Sequence, residues 1–63
     1  MEQIVKQASP IRVLVVEDES IVNEFVQNQL TRLGHEIAGS AYDGSDAVAL
    51  TGQLRPDVVL MDL

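Results

Sequence analysis

Apolar and polar positions follow two different rhythms along this chain. From Ile11 the run Ile11-Arg12-Val13-Leu14-Val15-Val16 is short, β-branched and almost continuously apolar, the pattern of a strand covered on both faces in a parallel sheet. It stops abruptly at Glu17-Asp18-Glu19. Beyond it, Ile21, Val22, Phe25, Val26, Leu30 and Leu33 recur at spacings of one, three and four, which draws a single stripe on a helix. Ser20 and the acids before it suit the start of that helix, and Gly34 suits its end. His35 to Ala41 is a weaker strand centred on Ile37 and Ala38, and its Gly39 and polar flanks point to the edge of a sheet. After a turn at Tyr42-Asp43-Gly44, a second helix is predicted from Ser45 to Leu54, with Ala47, Val48, Leu50 and Leu54 inward and Arg55-Pro56 closing it. The last run, Asp57-Val58-Val59-Leu60-Met61-Asp62-Leu63, is again apolar on both faces.

The order strand, helix, strand, helix, strand, with short connections, predicts parallel strands. Right-handed crossovers leave few arrangements of three such strands. The most economical is the order 2-1-3, with the two most apolar runs adjacent and the weak second strand outside. The fold class is therefore α/β: a three-stranded parallel sheet with βαβαβ connectivity. Residues 1 to 10 show neither rhythm, and Ser9-Pro10 marks a boundary. They are read as a leader ahead of one domain at 11–63.

At 63 residues, one domain is the most the chain can hold. With one Phe, one Tyr and no Trp, its core must be aliphatic. No cysteine is present, so neither a disulfide nor a zinc staple reinforces a thin core. No signal peptide and no run of about 18 apolar residues occurs, which reads as a cytoplasmic chain away from membranes. Ten acidic residues against four basic ones give a net charge of −6. Lys6, Arg12, Arg32 and Arg55 form no cluster, so direct nucleic-acid binding is not expected.

The chemistry lies in where three acids fall. Ligands of an open α/β sheet bind beyond the carboxyl ends of the strands, where connections diverge; in a 2-1-3 sheet that point lies between strands 1 and 3. Glu17, Asp18 and Asp62 follow those strands and should converge, because parallel neighbours lie only about 4.8 Å apart. Singly, each has a local explanation: Glu17 and Asp18 precede a helix, and Asp62 could solubilise a strand end. Together they repel, and a hard cation would explain their collection. Magnesium takes oxygen ligands, commonly one or two carboxylates with waters and phosphate oxygens, an arrangement suited to phosphoryl transfer.

The segment V-L-V-V-E-D-E-S at 13–20 resembles the first strand and acidic pair of the receiver domains of two-component signalling. P-D-V-V-L-M-D-L at 56–63 is similar to their third strand and phospho-acceptor aspartate, and A-Y-D-G-S-D-A-V-A-L at 41–50 to their second loop and helix. The resemblance covers Ile11 to Leu63 and implies the N-terminal half of a flavodoxin-like receiver fold. It also implies a phosphoacceptor module, not an enzyme: Asp62 as nucleophile, Asp18 as a direct Mg²⁺ ligand, and Glu17 holding the metal through water. The phosphodonor would be a sensor histidine kinase or a phosphotransfer protein.

The family's later Ser or Thr and its Lys have no counterpart in these residues. Lys6 lies in the leader, His35 reads as a surface residue, and Tyr42 follows strand 2. The expectation is therefore an impaired phosphoacceptor that forms a homodimer through strand 3, residues 57–62, by antiparallel edge pairing. Two other readings stay open: an interaction fragment that assembles through strand 3 without signalling, and an acidic module that binds a divalent cation without chemistry.

Overall fold

The structure, a computed structural model, describes residues 10–62. The leader reading of residues 1–10 falls almost wholly outside those residues, as does Leu63. In chain order the elements are β1 (Arg12–Glu17), α1 (Ser20–Arg32), β2 (Glu36–Ala41), α2 (Gly44–Leu54) and β3 (Val58–Asp62). The three strands form one parallel sheet in the order β2-β1-β3, as the apolar pattern and crossover rule predict.

Central position explains why β1 is the most buried strand: Val13, Leu14, Val15 and Val16 are all essentially inaccessible to water. Leu14 and Val16 pack with Ala41 and Ala47, and Leu50 of α2 closes over them. By the alternation of a strand, Val13, Val15 and Glu17 take the opposite face, toward α1. Between β1 and β2 the register slips: Val13 pairs with Ile37 and Leu14 with Gly39, leaving Ala38 as an extra residue. Gly39 then allows close packing, because a Cβ there would stand 2.7 Å from Cδ1 of Leu54.

Both helices end through backbone geometry. Beyond α1, Gly34 adopts φ +92. Its N–H donates to the Thr31 carbonyl and that of His35 to the Leu30 carbonyl, each at 3.0 Å. This paired closure is the Schellman arrangement, for which glycine is favoured. Helix α2 starts one residue earlier than predicted, with the Asp43 side chain accepting the Asp46 N–H at 2.8 Å. It ends at Arg55 in the left-handed region, φ 51. At α1, Glu19 is the N-cap residue but its side chain caps nothing.

The expected apolar stripes are only partly buried. Val26 and Leu30 of α1 are half-buried, whereas Ile21, Phe25 and Leu33 are exposed, Ile21 by 80%. The one buried residue of α1 is polar, Asn23. On α2, Ala47 is buried and Val48 exposed. Three strands present too little surface to cover stripes this wide. Strand β3, apolar on both faces and expected to be an open edge, is exposed throughout: Val58, Val59, Leu60 and Met61 retain 37 to 53% of their accessibility. Among the described residues it is an edge strand.

Candidate functional site

The carboxyl ends of the strands carry the acids because each strand is followed at once by a turn into a helix or by the end of its ladder. The final register pair of β1 and β3 is Glu17 with Asp62. Paired residues of parallel strands point to the same face, so both side chains lie on the α1 side. Asp18, the next residue, is exposed at the turn. Glu17, Asp18 and Asp62, with Glu19 and Val22, line one open cleft of about 390 Å³. The three expected site residues are thus brought to one place.

Their electrical environment is uneven. Glu17 is only 7% exposed, and its Oε2 accepts the Glu19 N–H at 2.9 Å. That hydrogen bond is the strongest single influence on its carboxyl and favours the charged form. Removal from water, a hydrogen bond with Asp18 and the negative charges of Asp18 and Asp62 act the other way. Together they prevail, and Glu17 holds its proton to higher pH than an ordinary glutamate.

The loop is anchored from below by residues absent from the sequence expectations. Asn23, fully buried, donates its Nδ2 to the carbonyls of Glu17 and Ala41, both at 3.1 Å. Gln27 donates to its Oδ1 at 2.6 Å. A signal existed: Asn23, Val26, Gln27 and Leu30 stand at helical spacing on one face. An amide amid apolar neighbours reads as solvent-facing unless the carbonyls above it are known. His35 is half-buried between α1 and β2, its Nδ1 3.5 Å from the Ile11 nitrogen. Lys6 lies outside the described residues.

Residues 13–63 match the family model described as the response regulator receiver domain. The chain belongs to that family. Similar proteins include the transcriptional regulatory protein PdtaR of Mycobacterium tuberculosis, 43% identical over 56 residues, covering 89% of this chain and 27% of that protein. The chemotaxis protein CheY of Thermotoga maritima is 38% identical over 52 residues, 82% of this chain and 43% of that protein. Protein-glutamate methylesterase/protein-glutamine glutaminase 2 of Anaeromyxobacter dehalogenans is 46% identical over 55 residues, 86% of this chain and 16% of that protein. The chain therefore spans less than half the length of each of these relatives. As a receiver it is a signalling module; the enzymatic name of the third relative belongs to that whole protein.

Receiver domains bind Mg²⁺ at an acidic site and accept phosphate from histidine kinases or phosphotransfer proteins. The donors at this site fit such an ion in kind: all are carboxylate oxygens beside an open cleft. Among the described residues no group of three acids or histidines is gathered closely enough to grip one ion unaided. The arrangement suits an ion held by one or two carboxylates and completed by water and phosphate, the usual habit of Mg²⁺. Among the described residues no helix is long and apolar enough to cross a membrane.

Proposed function

We propose that the chain is the phosphoacceptor part of a two-component receiver, with Asp62 as the phosphorylated residue. The observation that carries this is the Glu17–Asp62 register pair, with Asp18 beside it, opening on one cleft within a chain of the receiver family. Asp62 lies exposed at the end of an edge strand, accessible to a large donor. One of its carboxylate oxygens attacks phosphorus, an acyl phosphate forms, and the phosphorus–nitrogen bond to the donor histidine breaks. The electron pair leaves with the imidazole, which takes up a proton.

Asp18 and Asp62 would hold Mg²⁺ directly, and Glu17, tied back by the Glu19 N–H, through water. When bound, the ion neutralises the charge of the acceptor carboxylate and of the phosphate oxygens. The reading carries a cytoplasmic setting with it. The test is intact mass after incubation with a small-molecule acyl phosphate and Mg²⁺. An adduct of one phosphoryl group in the parent and none in Asp62→Asn supports it. No adduct, with another receiver labelled in parallel, defeats it for this chain.

A second proposal concerns assembly and leaves the first intact. The outer edge of β3 is unpaired among the described residues, and apolar clefts flank it on both faces. One is lined by Val22, Val26 and Leu60, the other by Ala47, Val48, Val59 and Met61. Residues 57–62 would pair antiparallel with a second copy, Leu60 meeting its own counterpart and the two acidic sites falling at opposite ends of the ribbon. Sedimentation at tens of micromolar decides it: a dimer lost in Leu60→Lys supports the pairing, and a monomeric parent overturns it.

A further inference from the structure

Buried polar groups are retained only where their hydrogen bonds are met, and an isolated one is costly. Asn23 is the only buried residue of α1 and is completely inaccessible. Its two amide hydrogens and its oxygen are all engaged, to Glu17, Ala41 and Gln27. The two carbonyls it bridges belong to neighbouring strands at their carboxyl ends. The β1–β2 ladder closes with the pair Val16 and Ala41, so the Asn23 amide acts as one further rung beyond the last pair.

Where that rung attaches matters for the site. The Glu17 carbonyl and the Asp18 Cα belong to one rigid peptide plane, so fixing the carbonyl fixes the direction in which Asp18 leaves β1. The same residue, Glu17, is the register partner of Asp62. Gln27, half-buried and one turn further along α1, holds the Asn23 amide in the one orientation that aims its hydrogens at both carbonyls.

We infer that Asn23, oriented by Gln27, is a positioning residue for the acidic site: it sets the turn that presents Glu17 and Asp18 to Asp62 and to a divalent cation. The inference rests on the acidic-site reading above for its consequence, but not for its geometry. It concerns a buried clasp that contacts neither cation nor phosphate. Partners of this kind, once removed, cost metal sites about tenfold or more in affinity.

The test compares the parent protein with Asn23→Ala, Gln27→Met and Thr51→Val. The last removes the Oγ1 hydrogen bond to the Ala47 carbonyl on α2, away from the site, as a control for stability. Two readouts are taken: Mg²⁺ affinity from the amide signals of Glu17, Asp18 and Asp62, and hydrogen exchange of the Glu19 amide without metal. Weakening of Mg²⁺ binding by about tenfold in Asn23→Ala and by a smaller factor in Gln27→Met, with Thr51→Val unchanged, is the expected result. Glu19 exchange should rise selectively in the same two variants.

If Asn23→Ala does not fold, Gln27→Met carries the test, because its side chain is only half-buried. A folded variant with parental Mg²⁺ affinity and parental Glu19 exchange overturns the inference. A parent that binds no Mg²⁺ defeats the acidic-site reading instead. The exchange readout then decides alone: a selective rise at Glu19 upholds the clasp, and no rise, or one shared equally by all of α1, removes it.

Discussion

Glu17 and Asp62 stand opposite one another as the last register pair of β1 and β3, two carboxylates that sheet pairing forces onto one face. Nothing cationic in the described residues is bonded to either. Arg12 is engaged at the other end of β1, where it meets Glu36, Leu54 and Arg55. The sheet is thus polarised, with acids gathered at one end and an arginine clamp at the other.

Without a divalent cation that polarity costs stability. Asp62→Asn keeps the shape and removes one like charge beside Glu17. Its thermal midpoint in chelator at low salt should lie above that of the parent. The gain should shrink as salt screens the pair and as Mg²⁺ is added to the parent. A lower midpoint for the variant at low salt would mean that the two carboxylates do not feel one another.

The raised titration of Glu17 fixes the sign of a pH effect. Folded Glu17 keeps its proton to higher pH than unfolded Glu17 does. Between the two values the folded state binds more protons, so stability falls as pH rises from the ordinary glutamate value of 4.5 through the raised one. Urea midpoints measured in chelator across that window should fall less steeply for Glu17→Gln than for the parent. Parallel curves would remove the effect.

Two glycines should answer alanine substitution with opposite signs. Gly34 has φ +92 and open space around its Cβ position, so Gly34→Ala suffers only backbone strain, about 1 kcal/mol of destabilisation. Gly52 lies within α2, also with open space and without a positive φ. Gly52→Ala should stabilise by about 0.5–1 kcal/mol through helix propensity and a less free unfolded chain. Chemical denaturation of both variants measures the pair, and equal signs would contradict the assigned helix ends.

Arg12 is the structural cation. Its Nη1 donates to the Leu54 carbonyl at 2.8 Å and the Arg55 carbonyl at 3.2 Å, at the negative end of α2. Its backbone exchanges 2.8 Å hydrogen bonds with Asp57, which leads into β3. Arg12→Met keeps the aliphatic stem and loses the guanidinium, and should destabilise by about 1–2 kcal/mol without altering Mg²⁺ affinity. A change in affinity would show that the two ends of the sheet are coupled.

The order of elements, the parallel sheet and its 2-1-3 arrangement were legible in the chain, because periodicity and crossover handedness are local or topological constraints that leave few solutions. So was the meeting of Glu17, Asp18 and Asp62, which follows from strand order and pairing distance alone. The exposure of Ile21, Phe25 and Val48 was not, since a stripe records what a helix can bury and only the assembled layers decide how much is covered. Asn23 escaped for a related reason. A lone amide on a helix has no local signature of its partners, and the Glu17 and Ala41 carbonyls reach it only when β1, β2 and α1 are folded together. Sequence determined which residues share a strand end; tertiary packing decided that a buried asparagine, joined to the ends of both strands, lies beneath the acids.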